Sequence, residues 1–278
     1  MGRVLETKEI YLKYKQELKE KLRNLPTLTL ASLVGEKNRA CEVYLSSQEK
    51  LAKELGVNYL CLELKDACLE KVIEKIRQLN EDKNITGILL NKPFPSDWKE
   101  EIVFSSLETK KDIEGVHPYN LGRIILGKPV FVAPTVLSIL ECLKMTGVFL
   151  EGKEVTVIGF STIIGKPLSI ILANQFATVN ITHIATYREG HLPFYVKRAD
   201  ILISCVGRPH LVKGEWIKRD AVVIDVGIGE KDGEVCGDVE FENAKERVSF
   251  ITPTKGGVGL LTTLFIFKNL IKAYNYEI

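Results

Sequence analysis

The fold of this chain is decided by V-T-V-I-G-F-S-T-I-I-G-K-P, residues 155–167. An apolar run typical of a buried strand leads into a turn bracketed by glycines and then into a helical pattern. A strand that delivers such a turn onto a helix N-terminus forms an anion site, because free backbone N–H groups and the helix dipole both point at the ligand. The stretch therefore predicts a phosphate or pyrophosphate ligand, and its surroundings favour a dinucleotide.

This loop is a weak motif by itself, since it reads G-x-S-x-x-x-G-x-P rather than G-x-G-x-x-G. Tight turn geometry is the alternative explanation. Three further glycine turns follow predicted strands, at 205–209, 225–229 and 253–259. Successive parallel strands that end in glycine suit a backbone that passes close to a flat cofactor. Together these turns favour a nucleotide site.

Hydrophobic periodicity predicts an α/β protein in which strands and helices alternate. Strands are predicted at 27–34, 57–62, 85–90, 154–158, 178–184, 200–206 and 221–226, with a last strand and glycine loop within 247–259. Helices are predicted at 8–24, 40–55, 68–80, 97–107, 165–176, 193–199 and 260–276, and from Pro134 to Gly147. We expect an N-terminal α/β domain, 1–133, completed by the terminal helix 259–278, and a Rossmann-like domain with a doubly wound parallel sheet, 134–258.

Composition places the chain among ordinary globular proteins. It has 278 residues, 45% hydrophobic and 27% charged, with a formal net charge of +2, so neither a nucleic acid nor a membrane is indicated as a partner. Its six cysteines show no C-x-x-C spacing and its four histidines no paired spacing, which predicts reduced thiols and no metal site. The N-terminus lacks an apolar signal region, so we expect a cytoplasmic protein.

The end of the strand 178–184 bears on the choice of cofactor. NAD enzymes of the usual type place an Asp or Glu there for the ribose diol, and this strand ends without one. NADP is therefore favoured and NAD stays open. Lys166 and Arg188 are candidate partners for a 2′-phosphate, with a solvated surface charge as the alternative for each.

Seven further motifs are spread along the chain: Y-L-S-S-Q (44–48), G-I-L-L-N-K-P-F-P (87–95), K-D-I-E-G-V-H-P-Y-N-L-G-R (111–123), G-E-W-I-K (214–218), V-I-D-V-G-I (223–228), G-D-V (237–239) and F-I-T-P-T-K-G-G-V-G (250–259). With these motifs the chain resembles, over essentially its whole length, the bifunctional methylenetetrahydrofolate dehydrogenase/methenyltetrahydrofolate cyclohydrolases of the FolD type. The resemblance implies oxidation of 5,10-methylenetetrahydrofolate with NADP, or NAD, followed by hydrolysis to 10-formyltetrahydrofolate. It also implies a homodimer.

Site residues follow from matching these motifs position by position. The resemblance implies a catalytic group of Tyr44, Gln48, Asn91 and Glu114. Substrate contacts are implied for Tyr44, Leu90, Asn91, Lys92, Glu114, Gly256, Gly257 and Val258. Cofactor contacts are implied for Gly159, Phe160, Ser161, Ile163, Gly165, Pro167, Gly207, Ile228 and Gly257.

One departure from the family pattern separates the two activities. Gln48 stands where the family has a catalytic lysine, four residues after Tyr44 and so on the same helix face. Hydride loss from the methylene carbon moves no proton, whereas hydrolysis needs a general acid/base. We therefore expect a dehydrogenase with weak or absent cyclohydrolase activity. A second hypothesis lets Lys92 supply the missing ammonium. The rival from another class is a catalytically silent folate- or nucleotide-binding protein that acts with a partner enzyme.

Overall fold

The computed structural model describes residues 2–276 and divides into two compact units. The first unit holds the residues up to Tyr11 together with Thr135–Thr262. The second holds Leu12–Pro134 and the residues from Thr263 onward. Both contain parallel strands connected through helices, which confirms the predicted α/β class.

The elements are numbered in chain order. The strands are β1 (Arg3–Val4), β2 (Thr29–Val34), β3 (Asn58–Glu63), β4 (Gly87–Asn91), β5 (Glu154–Ile158), β6 (Thr178–Thr182), β7 (Ile201–Ser204), β8 (Val222–Asp225), β9 (Gly229–Lys231), β10 (Glu234–Cys236) and β11 (Phe250–Ile251). The helices are α1 (Lys8–Arg23), α2 (Arg39–Leu55), α3 (Leu69–Glu81), α4 (Glu100–Ser105), α5 (Pro118–Ile125), α6 (Pro134–Thr146), α7 (Gly165–Ala173), α8 (Ile184–Arg188), α9 (Leu192–Arg198), α10 (Phe241–Lys245) and α11 (Val258–Tyr274).

The second unit is built on a three-stranded parallel sheet in the order β3-β2-β4. Helix α2 begins where the Asn38 side chain accepts a hydrogen bond from the Cys41 N–H, and it ends at Gly56. Its buried residues recur every three or four positions, as an amphipathic helix requires. Gln48 lies within this otherwise apolar stripe and is fully buried.

The first unit contains a six-stranded sheet in the order β1-β11-β8-β7-β5-β6, and every pairing in it is parallel. From β5 the chain passes to β6 on one side and then returns to β7 on the other. The strand order therefore reverses at the carboxyl end of β5, which is where open α/β sheets bind ligands. This confirms the doubly wound sheet and places the 159–167 loop at its switch point.

The N-terminal residues depart from the predicted division of the chain. Arg3 and Val4 pair with Phe250 and Ile251 of β11, so residues 2–11 belong with the 135–262 unit rather than with 12–134. A strand of two residues carries no periodicity, and its place is set by tertiary pairing. The other unpredicted elements, α5, α8, α10 and the β9–β10 hairpin, are similarly short. Within residues 2–276, no helix is both long enough and apolar enough to cross a bilayer.

Candidate active site

Gln48 lies at the centre of a closed hydrogen-bonded cluster in the second unit, formed with Ser32, Tyr59 and Asn91. Its Oε1 accepts from Ser32 Oγ at 2.9 Å and from Tyr59 Oη at 3.0 Å, and its Nε2 donates to Asn91 Oδ1 at 2.9 Å. Asn91 Nδ2 in turn donates to Ser32 Oγ at 2.7 Å and to the Leu33 carbonyl at 3.1 Å. Two of the four predicted catalytic residues are thus in direct contact.

The side chains of this cluster carry no charge. Amides and a serine hydroxyl do not titrate near pH 7, and burial raises the pKa of the Tyr59 phenol above its usual range. Gln48, Ser32 and Asn91 are each less than 5% exposed. The cluster can position groups beside it, but it contains no general acid or base that works at neutral pH.

Tyr44 and Glu114 form the ionisable part of the predicted catalytic group. Burial raises the pKa of the Glu114 carboxyl to about 8, with a smaller contribution from the charge of Asp112. Burial also raises the pKa of the Tyr44 phenol well above its usual value, and the charge of Glu114 raises it further. At pH 7 both groups therefore hold their protons, and Glu114 is a neutral acid that can donate a hydrogen bond.

Asp112 shapes the loop that presents Glu114. Its buried carboxylate accepts from the N–H groups of Gly115 at 2.9 Å, Val116 at 3.2 Å and His117 at 2.8 Å, and from Asn120 Nδ2 at 2.7 Å. Gly115 has φ +71°, and a Cβ there would lie 2.8 Å from the Phe131 carbonyl oxygen. The sequence D-I-E-G is therefore a structural turn with Glu114 at its tip.

The remaining predicted substrate residues belong to both units. Lys92 is exposed and its ammonium forms an ion pair with Glu100, while Leu90 packs in the core. Gly256 and Gly257, in the first unit, accept hydrogen bonds from the Thr7 hydroxyl at 3.0 and 2.9 Å, just before Val258 begins α11. Their roles in binding substrate stay predictions.

The glycine loop after β5 is tightly folded. A Cβ on Gly165 would lie 2.1 Å from the Gly159 carbonyl oxygen, so the loop closes on itself only with glycine there. Ser161 Oγ accepts from the N–H groups of Ile164 at 3.1 Å and Gly165 at 3.4 Å. The sequence predicts free N–H groups at the start of this helix. For Ile164 and Gly165 that prediction is wrong, because the Ser161 hydroxyl accepts from both of their N–H groups.

A cavity of about 620 Å³ adjoins this loop at the carboxyl ends of β5, β6 and β7, a size suited to a small-molecule ligand. It is lined by Ile158, Gly159, Phe160, Ser161, His183, Ile184, Tyr187, Leu192, Cys205, Val206, Arg208 and Leu211. Mostly apolar walls with a few polar groups fit an adenosine. Among the described lining residues there is no Asp or Glu, as expected for a site that accepts a phosphate.

The cavity includes three of the residues predicted to bind cofactor, Gly159, Phe160 and Ser161. The other six lie outside its lining: Ile163, Gly165, Pro167, Gly207, Ile228 and Gly257. Tyr187 and Arg208 also line the cavity and were not among the residues predicted to bind cofactor. The one available signal was their position just after β6 and β7, at the edge where parallel strands end.

Two buried carboxylates fix the loops that follow β7 and β8. Asp238 accepts from Ser204 Oγ at 2.7 Å, the Val206 N–H at 2.8 Å and the Arg208 N–H at 2.7 Å. Asp225 accepts from the N–H groups of Asp238 at 3.1 Å and Val239 at 3.0 Å. Burial raises the pKa of Asp225 to about 7. The motifs V-I-D-V-G-I and G-D-V are therefore one connected structural unit.

A doubly wound parallel sheet with a glycine loop and a nucleoside-sized cavity at its switch point defines a dinucleotide-binding α/β protein. Residues 5–114 match the catalytic domain of the tetrahydrofolate dehydrogenase/cyclohydrolase family, and residues 133–278 match its NAD(P)-binding domain. The chain belongs to this family, which confirms the resemblance seen in the sequence.

Individual relatives agree along the full length. The bifunctional protein FolD of Pelobacter propionicus is 40% identical, over 98% of each chain. The crystal structure of the bifunctional enzyme FolD from Campylobacter jejuni superposes with a TM-score of 0.92 at 33% identity, over 99% of each chain. The enzyme from Trypanosoma brucei, solved in complex with NADP and an inhibitor, superposes with a TM-score of 0.92 at 30% identity, over 99% of this chain and 97% of that one.

Proposed function

We propose that this protein oxidises 5,10-methylenetetrahydrofolate to 5,10-methenyltetrahydrofolate with NADP, and that its cyclohydrolase activity is weak or absent. One observation carries the proposal: a cavity adjoins the nucleotide loop, whereas the position that the resemblance matches to the family's lysine holds a buried, hydrogen-bonded amide at Gln48. Membership of a dehydrogenase/cyclohydrolase family supplies the substrate class.

The dehydrogenase half-reaction mainly requires the chain to hold the nicotinamide and the folate in the right relative position. Gly159, Phe160 and Ser161 would hold the nucleotide along the loop and cavity wall, and the bound nicotinamide supplies the hydride acceptor. Tyr44 and Glu114 are proposed to face the folate. Since Glu114 has a pKa of about 8, it can donate a hydrogen bond to an acceptor on the substrate at pH 7.

The hydrolytic half requires a group that removes a proton from water. Gln48 cannot do so, because its amide has no titratable proton and each of its polar atoms already has a partner. Lys92 is the alternative source of an ammonium, but its Nζ is bound to the Glu100 carboxylate. Glu114 holds its proton at pH 7, so it is not a base there. Without a positioned base, hydrolysis loses about 10²–10⁴-fold.

The test is to assay both half-reactions on the same preparation. We expect reduction of NADP with methylenetetrahydrofolate, and hydrolysis of methenyltetrahydrofolate within a few-fold of the spontaneous rate. The double variant Gln48→Lys/Asn91→Gln, which restores the family pair, should gain hydrolysis by about 10²-fold or more. Lys92→Leu should leave both rates unchanged. Fast wild-type hydrolysis that Lys92→Leu abolishes would refute the proposal and support the Lys92 hypothesis.

A catalytically silent binding protein is the less favoured alternative. Solved relatives that match over nearly the whole chain are named as enzymes, and the nucleotide loop keeps its folded form. The silent alternative requires binding of both ligands with no turnover. Two assays with methylenetetrahydrofolate, one with NADP and one with NAD, test it. If both ligands bind and neither assay forms reduced nicotinamide, the silent alternative is correct.

The proposal extends to a cytoplasmic homodimer. All six cysteines are free thiols, which suits a reducing compartment. Strand β6 has a sheet neighbour on one side within the described chain, and Ile181 on it is 37% exposed, so a second copy could cover this edge. Sedimentation equilibrium should give twice the chain mass, and a monomer at micromolar concentration would refute the dimer.

A further inference from the structure

Arg208 stands out among the residues around the nucleotide cavity. It lies on the loop after β7, and its guanidinium carbon is 4.6 Å from the centroid of the Tyr187 ring, which belongs to the α8 side of the same cavity. The two residues therefore meet across the cavity wall, at the carboxyl ends of neighbouring parts of the sheet.

The charge of Arg208 is available for a ligand. Among the described residues it has no carboxylate partner, and its side-chain contact is with the face of Tyr187. A guanidinium stacked on an aromatic ring keeps its N–H groups free at the edge, where they can hold a phosphate through two parallel hydrogen bonds. The cavity has no acidic lining residue that would compete for it.

The backbone below this side chain is rigidly held. The Arg208 N–H donates to Asp238 Oδ1 at 2.7 Å, and the Val206 N–H donates to Asp238 Oδ2 at 2.8 Å. Asp238 itself is fully buried. The loop therefore presents Arg208 from a fixed backbone position, so anion binding by its guanidinium does not have to order the backbone as well.

The two cations selected from the sequence are less well placed. Arg188 is outside the cavity lining. Lys166 is also outside it, with its Nζ 4.7 Å from the centroid of the Phe160 ring. An ammonium is a point charge without the planar fork of arginine. Of the three residues, Arg208 alone lines the cavity.

We propose that Arg208 is the residue that selects NADP over NAD, by binding the 2′-phosphate of the adenosine ribose. This inference rests on the proposed function, since it concerns the cofactor of the same reaction. It assigns recognition of an adenosine 2′-phosphate to the loop after β7, and it gives Asp238 the part of a positioning residue.

The test uses fragments of the cofactor, so that it needs neither folate nor turnover. Calorimetric titration with 2′,5′-ADP and with 5′-AMP is run on the wild type, on Arg208→Gln and on the control Arg219→Gln, an exposed arginine outside the cavity. We expect the wild type to prefer 2′,5′-ADP. Arg208→Gln should lower the affinity for 2′,5′-ADP by about 10- to 100-fold, because a charge-assisted contact to the 2′-phosphate is lost. The affinity for 5′-AMP should not change.

Several outcomes overturn the inference: equal weakening of both ligands, no weakening of either, or a wild type indifferent to the 2′-phosphate. A selective loss in Lys166→Gln or Arg188→Gln, with Arg208→Gln unaffected, also overturns it. Selective binding through Arg208 in a protein without dehydrogenase turnover would uphold this inference while refuting the proposed function. The two failures are therefore distinguishable.

Discussion

Glu114 is a carboxyl whose pKa lies far above its ordinary value. It stands at the tip of a turn that Asp112 holds by four hydrogen bonds, and burial of the carboxyl, with a smaller contribution from the charge of Asp112, raises its pKa to about 8. A carboxyl in such a place acts as a hydrogen-bond donor at neutral pH. The amount by which this carboxyl lowers the free energy of unfolding depends on pH.

That cost gives a prediction for stability. The unfolded chain releases the proton of Glu114 near the ordinary pKa of 4.5, whereas the folded chain holds it up to about pH 8. The free energy of unfolding should therefore fall as pH rises through this window, by at most about 1.4 kcal/mol per pH unit. Urea denaturation at about pH 5.5, 7 and 8.5 measures this slope.

Two variants isolate the contribution of Glu114. In Glu114→Gln the slope should be shallower, because the titrating group is gone. The control Glu101→Gln, at an exposed position of α4, should keep the wild-type slope. Equal slopes in the wild type and Glu114→Gln would show that the buried carboxyl titrates at an ordinary pKa.

At the scale of elements, the loop after β7 depends on the carboxylate of Asp238. Asp238 lies 34 residues from Ser204, yet it accepts from that hydroxyl and from two backbone N–H groups of the β7 loop. The backbone of the cavity wall is thus held by the G-D-V motif, which follows the β9–β10 hairpin.

Asp238→Asn should destabilise the first unit by about 2–3 kcal/mol, because the amide has one acceptor oxygen and brings N–H donors toward other donors. It should also reduce binding of 2′,5′-ADP through the loosened Arg208 loop. Thermal unfolding and calorimetry measure the two effects. Asp232→Asn, in the exposed hairpin, is the matched control and should change neither. A loss below about 0.5 kcal/mol would contradict the role given to Asp238.

The long elements could be predicted because their apolar patterns are local. Strand β5 was predicted at 154–158 and is observed over Glu154–Ile158, and the helix predicted at 40–55 is α2. Strand β1 and helices α5 and α8 were missed, since two to eight residues carry too little periodicity. Their positions follow from tertiary pairing, as in β1 with β11.

At the scale of the whole molecule, the family pattern led to the right motifs but not to their contacts. Gln48 and Asn91 are 43 residues apart, and no spacing rule predicts that their amides bond to one another. The cavity residues Tyr187 and Arg208 were not predicted either, because their positions after β6 and β7 indicate only the edge of the sheet, and the wall they form depends on how separate loops pack. The motifs therefore identify the residue types of the site, whereas the contacts between those residues follow from the tertiary fold.

The two compact units give a prediction for ligand binding. NADP at about 100 times its Kd should raise the free energy of unfolding of the first unit by about 2.7 kcal/mol, because it binds the folded state. Hydrogen exchange should slow in the peptides that cover 155–167 and 204–211. NADP titrated into Gly165→Ala, whose added methyl would meet the Gly159 carbonyl at 2.1 Å, should give a much smaller effect. Equal protection in the variant would place the cofactor elsewhere.

The closed cluster around Gln48 also limits which side chains position 48 can accept. A lone lysine at position 48 would offer only donors to the hydroxyls of Ser32 and Tyr59, which now donate to the glutamine oxygen. It would also meet Asn91, which is one methylene shorter than the glutamine that the family pattern places there. We therefore expect the two substitutions to be non-additive: Gln48→Lys should lower the free energy of unfolding by itself, and by less when Asn91→Gln accompanies it. A double-mutant cycle measured by urea denaturation checks this coupling.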